Sequence, residues 1–304
     1  MRILDSEAHV LNPAGIDCCY PVSPQWRYPY IPGALPTLKG VVAESMKKGA
    51  FDNLTDALLE RMDRHGVEKT VIMRGNYPAR NADLAAIVKK HPDRFVCFAG
   101  WDLEAPVGNP PRESPKALEA LEKGFTEHGC LGAGEFGLPR FEPQSPELAW
   151  QGFIPTLEVC RRNGKKPVMF HTGYDAGKVL SGYKNPINFE PLAFEFPDVP
   201  IMIAHMGKYD VTFFEYAMML ARKCPNIYLT TSNTKTEFIE RAVEEVGAEK
   251  LIFGSDWSMQ HGILGEKQGF DVIEKNLTAV RNAKISESEK ALILGENLAG
   301  LIGI

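Results

Sequence analysis

A carboxylate and an imidazole, Glu7 and His9, stand two residues apart in the first strand-like stretch, RILDSEAH. Residues two apart on a strand point to one face, so both side chains can reach the same point. Three further groups of this kind close later apolar runs: His171 ends PVMFH, His205 ends PIMIAH and Asp256 ends LIFGSD. Imidazole nitrogens and carboxylate oxygens are donors for a divalent cation, and an ion with an open position can act on a substrate. Each residue alone also has a structural reading. A histidine after a strand is often only hydrogen-bonded, and an aspartate there often caps a helix. All of them at strand ends, however, is the placement that one shared cation would require.

Eight stretches read as strands: 2–9, 69–74, 95–101, 131–136, 167–171, 199–205, 226–231 and 251–256. They are short apolar runs of the kind buried parallel strands show. Helical patterns fill the gaps. NLTDALLERMDRHG places Leu54, Leu58, Leu59 and Met62 on one face, with Gly66 as the stop. SPKALEALEKGFTEHG and SPELAWQGFIPTLEVCRRNG repeat the design from Ser114 and Ser145, and Pro155 should divide the second. The C-terminal ILGENLAGLIGI reads as helix on the barrel exterior. No GxGxxG follows the first strand, as a dinucleotide-binding sheet would want. The donor-bearing strands 1, 5, 6 and 8 converge only if the sheet closes on itself. The expectation is an α/β chain forming one domain over 1–304, a distorted (β/α)8 TIM barrel whose chemistry sits at the carboxyl ends of the strands.

Residues 10–52 form a long insertion after the first strand. Its PVSPQWRYPYIPGALP segment, with Trp26 and Tyr28, reads as a lid or pocket wall, or as a patch that covers the barrel or meets another subunit. His261, in the loop after strand 8, could reach substrate. His65, His91 and His128 lie at helix ends and read as structural.

The chain has 304 residues, a net charge of −5 and no basic stripe, so a nucleic-acid partner is not expected. No apolar stretch is long enough for a membrane span. The immediate first strand argues against a secretory signal, so a cytoplasmic location is expected, with the six cysteines as reduced thiols.

SEAHV, MFHTGYD, IMIAHMG, LIFGSDW and ILGENLAGLIGI together resemble the amidohydrolase superfamily. Within it, the likeness is to the branch with aminocarboxymuconate-semialdehyde decarboxylase and many metal-dependent hydrolases. The resemblance implies that Glu7 (where most members carry His), His9, His171 and Asp256 bind zinc or manganese. It implies that His205 polarises substrate or, with Glu135, completes a second metal site. Arg74 at the end of strand 2 could clamp a substrate carboxylate. Glu7 lowers the charge of the site, makes a bound water less acidic and moves preference toward manganese. Glu7 also fits the decarboxylating members, but those typically follow the strand-5 histidine with Pro, whereas Thr172-Gly173 stands here.

The resulting expectation is a metal-dependent hydrolase acting on a small, carboxylated substrate. Asp256 would move the proton of an activated water and His205 would stabilise oxyanion charge. Arg74, Trp26, Tyr28, Tyr174, Trp257 and His261 would line the substrate. The alternative is non-oxidative decarboxylation of an aromatic or unsaturated acid, with Asp256 donating a proton to carbon. A metal-free binding barrel is a third class. By analogy with the branch, a homo-oligomer such as a dimer is expected.

Overall fold

The computed structural model describes residues 1–10, 54–73, 80–102, 115–137, 150–173, 181–257 and 269–304. Its strands are β1 Leu4–His9, β2 Lys69–Met73, β3 Phe95–Ala99, β4 Gly132–Phe136, β5 Val168–His171, β6 Ile201–Ala204, β7 Ile227–Thr230 and β8 Leu251–Ile252. They form one parallel sheet in sequence order. The ring closes beyond the end of β8. Ser6 N donates to Phe253 O, His9 N donates to Trp257 O at 2.7 Å, and Ala8 bridges Trp257. This is the expected (β/α)8 barrel. β8 is only two residues long because its continuation pairs with β1 through these separate contacts.

Side-chain alternation assigns two layers. Val71, Met73, Val96, Phe98, Met169, Met202 and Ile252 cluster in the bore with Leu4. Ile72, Phe95, Cys97, Val168, Phe170, Ile201 and Ile203 form the outer layer with the helices. Two irregularities aim the donors. Leu4 and Glu7 are three apart, so a regular strand would place them on opposite faces. The register shift between Asp5 and Ala8 lets both face inward. A second shift, between Ala133 and Phe136, surrounds Glu135.

The helices are α1 Leu54–His65, α2 Asn81–Lys90, α3 Pro115–Thr126, α4 Ile154–Arg162, α5 Glu190–Glu195, α6 Val211–Lys223, α7 Thr236–Val246, α8 Val272–Arg281, α9 Glu287–Ala291 and α10 Asn297–Ile302. Pro155 divides its segment as expected: a 3-10 turn, Trp150–Phe153, precedes α4. The C-terminal helix departs from the exterior placement expected of it. Leu298, Ala299 and Ile302 of α10 pack with the bore residues Leu4 and Val71. Cys97, Cys130, Cys160 and Cys224 are free and buried. No helix among the described residues is long and apolar enough to cross a membrane.

Candidate metal centre

Glu7, His9, Glu135, His171, His205 and Asp256 meet at the carboxyl ends of the strands. They form two triads, each with donor atoms within 4.8 Å of one another: Glu7, His9 and Asp256, and Glu135, His171 and His205. In the first, His9 Nε2 lies 3.4 Å from Asp256 Oδ1 and 3.7 Å from Glu7 Oε1. Two donors each about 2.1 Å from one ion stand about 3.0 Å apart at a right angle and up to about 4.2 Å when opposed, so these separations suit one ion. Glu7 Oε1 is buried without a hydrogen-bond partner among the described residues. In the second triad His171 Nδ1 lies 2.7 Å from Glu135 Oε1 and 3.1 Å from His205 Nε2. Those donors satisfy one another directly, while His171 Nε2 is buried and has no hydrogen-bond partner among the described residues. The four expected ligands therefore divide, with His171 beside Glu135 and His205. The triads are joined where His205 Nε2 lies 3.7 Å from Glu7 Oε1 and His9 Nε2 lies 3.7 Å from Glu135 Oε2.

The donors differ in access. The side chains of Glu7 and His205 are fully buried, whereas those of Asp256 and His171 are 11% and 15% exposed. Burial raises the pKa of Glu7, against the opposing charge of His205. Burial works against a charged His9, yet Asp256 and Glu7 outweigh it and hold its pKa well above the ordinary value. Burial likewise opposes charge on His205, and the neighbouring Glu7 raises its pKa nonetheless. His171 is pushed down to about 3, chiefly by burial. Burial alone would raise Glu135, but His171 and His205 hold it well below the usual carboxylate range.

A polar frame holds these groups. Asn233 Nδ2 donates to Asp256 Oδ2 at 2.6 Å, and Asn276 of α8 accepts from Asn233 N and donates to Ser255 O. Asp5 accepts from Glu7 N, Ser255 N and Ser255 Oγ. Burial lifts the Asp5 carboxyl to about 7. Gly254 lets the segment after β8 approach β1 closely, since a Cβ there would stand 2.9 Å from Ser6 Oγ and 3.4 Å from Glu7 Oε2. Sequence reading missed Asp5, Ser232, Asn233, Ser255 and Asn276. The polar run TTSNT after strand 7 was the available signal.

Trp257, expected to contact substrate, is 1% exposed and packs in the core. Arg74, Trp26, Tyr28, Tyr174, His261 and nearly all of the 10–52 insertion lie outside the described residues. Among the other histidines, His65 Nε2 pairs with Asp271 Oδ2 at 2.7 Å, and His91 ends α2.

Comparison with known proteins adds chemistry to this geometry. The sequence profile of a family described as Amidohydrolase matches residues 36–303. Gamma-resorcylate decarboxylase of a Polaromonas species is 23% identical over 295 residues, covering 79% of this chain and 85% of that protein. Among solved structures, a dihydroxybenzoic acid decarboxylase from Polaromonas, with manganese and the inhibitor 2-nitroresorcinol bound, superposes with a TM-score of 0.68 and 19% identity. That match covers 99% of this chain and 97% of the other. The 5-carboxyvanillate decarboxylase of Sphingomonas paucimobilis gives a TM-score of 0.69 at 17% identity, over 100% of this chain and 99% of that one.

These relatives overturn the hydrolase expectation, since they are decarboxylases. The structure explains why the sequence misled. Thr172 and Gly173 weighed against decarboxylation, but both serve packing. Thr172 Oγ1 is buried and donates to Ala204 O at 2.7 Å, tying β5 to β6. Gly173 has φ +89°, and a Cβ there would stand 2.8 Å from Lys208 Cγ and 2.9 Å from Gly207 C. Packing accounts for both residues, and Glu7 stands as the other departure from the family pattern. With the profile running from residue 36 to residue 303, the chain belongs to the amidohydrolase family.

Proposed function

We propose that this protein is a metal-dependent, non-oxidative decarboxylase of a hydroxylated aromatic acid. The observation that carries this reading is the triad of Glu7, His9 and Asp256, two carboxylates around one imidazole at ion-binding separations. Two carboxylates neutralise a divalent charge, which disfavours ionising a bound water, the step that hydrolysis would need. A divalent ion, manganese or zinc, would supply a Lewis acid for the carboxylate and phenolic oxygens of the substrate. Glu7, His9 and Asp256 would hold it, with the bare Nε2 of His171 as the fourth donor.

Asp256, the most exposed member of its triad, takes the proton of the substrate's ortho hydroxyl and passes it to the ring carbon that bears the carboxylate. The bond from that carbon to the carboxylate then breaks, its electron pair returns to the ring and CO2 leaves. Asp256 is left ionised, as it began, and solvent reprotonates the phenolic oxygen of the product. Asn233 fixes the other oxygen of Asp256. Positive charge at the rim favours an anionic substrate. Lys184 is buried, with Nζ 3.9 Å from where a Cβ on Gly137 would lie. The charges of Lys184 and Lys208 both act on His171, and that of Lys208 also acts on His205. The test is to incubate manganese-loaded protein with 2,6-dihydroxybenzoate and other ortho-hydroxybenzoates while measuring CO2 and the ring product. CO2 release that a chelator abolishes is expected. No CO2 from any hydroxybenzoate with metal-replete protein would overturn the reading.

A further inference from the structure

We propose that Ser232 is a positioning residue that fixes His205 in one tautomer and aims Glu7 Oε1 at the metal seat. This rests on the reading of Glu7 as a ligand. Ser232 follows β7, a strand that places no donor in either triad. Its Oγ lies 2.8 Å from Glu7 Oε2 and 2.8 Å from His205 Nδ1. A carboxylate only accepts, so the hydroxyl proton goes to Glu7. The hydroxyl oxygen is left to accept, and His205 Nδ1 must carry the proton that it receives.

In the neutral ring the bare nitrogen is therefore Nε2, which lies 3.1 Å from His171 Nδ1, 3.4 Å from Glu135 Oε1 and 3.7 Å from Glu7 Oε1. The opposite tautomer would set two lone pairs, Nδ1 and Ser232 Oγ, against each other. The same hydroxyl holds Glu7 by Oε2 and leaves Oε1, which has no hydrogen-bond partner among the described residues, for the ion. Glu7, His205 and Ser232 are all fully buried, so bulk solvent does not compete for these bonds. Thr230 Oγ1 completes the frame, accepting from His205 N at 3.0 Å and lying 3.1 Å from Ser232 Oγ.

The test compares Ser232→Ala with Thr231→Val in zinc-loaded protein. Thr231 Oγ1 is buried and bonds nothing among the described residues, so its loss controls for a missing hydroxyl nearby. Nitrogen-15 spectra of the histidine rings, recorded at a pH high enough to leave His205 neutral and with His205 assigned through His205→Gln, report the tautomer. Competition with a chromophoric chelator reports zinc affinity. The parent and Thr231→Val should show neutral His205 protonated only at Nδ1. Ser232→Ala should show both tautomers and bind zinc about tenfold more weakly or worse. A single Nδ1–H form in Ser232→Ala, zinc affinity within about twofold of the parent, or equal effects in Thr231→Val would overturn the assignment. If Ser232→Ala does not fold, Ser232→Cys, close in size but a weaker hydrogen-bonding group, is judged by the same criteria. Neither readout uses turnover, so a failure here and a failure of the proposed reaction are distinguishable.

Discussion

Glu135 Oε1 and His171 Nδ1 share a 2.7 Å hydrogen bond at the carboxyl rim of the barrel. It orients a neutral imidazole and leaves Nε2 as the ring's donor atom. Carboxylate partners of this kind typically change metal affinity about 10- to 100-fold. Glu135→Gln, which keeps the shape and loses the charge, should weaken metal binding by about that factor in a chelator competition. Unchanged affinity would show that the hydrogen bond does not prepare His171.

Glu7 gives the first triad two carboxylates to one imidazole. Glu7→His would raise the charge of the site by one and replace an oxygen donor with nitrogen. Preference should move from manganese toward zinc, measured as the ratio of the two affinities. An unchanged ratio would count against the electrostatic account of this position.

Lys208 stands at the rim against Gly173, two residues past His171, and its charge acts on both His171 and His205. A hydrogen bond to a charged group contributes about 1.5–3 kcal/mol. Lys208→Met should therefore raise KM for a hydroxybenzoate at least about tenfold, with kcat changed little. An unaltered KM would remove Lys208 from substrate recognition.

Asp271 caps α8 through Ile273 N and Glu274 N and pairs with His65 at the end of α1. Burial would raise its pKa, but His65 and the backbone N–H groups lower it below the ordinary 3.8. A carboxylate depressed on folding contributes its stability above the unfolded pKa and loses it as pH falls through the folded value. Asp271→Ala should cost about 1–2 kcal/mol near neutral pH. In denaturant unfolding, the gap between parent and variant should narrow as pH falls below 3.8. A gap constant through that range would mean that the charge of Asp271 contributes nothing.

Much of the barrel was legible because buried parallel strands are short apolar runs with punctuated ends. His171 ends its strand as expected, and Glu7 and His9 share a face. Asp256 and His205 were found by type and place, although their backbone could not be foreseen. Asp256 sits four residues past β8 with φ +54°, and His205 opens a left-handed turn with φ +68°. Ser232, Asn233 and Asn276 escaped notice because their roles exist only as pairings across the fold, such as Ser232 to Glu7 over 225 positions. The reaction was misjudged at Thr172 and Gly173, where a requirement of strand packing resembled a functional signature.

Anomalous diffraction at the manganese edge, from crystals of the manganese-loaded protein, locates the ion and its ligands together. One strong peak is expected within coordination distance of Glu7, His9, Asp256 and His171. No peak at that rim, or a peak that Glu7 and Asp256 do not touch, would contradict the proposed metal centre.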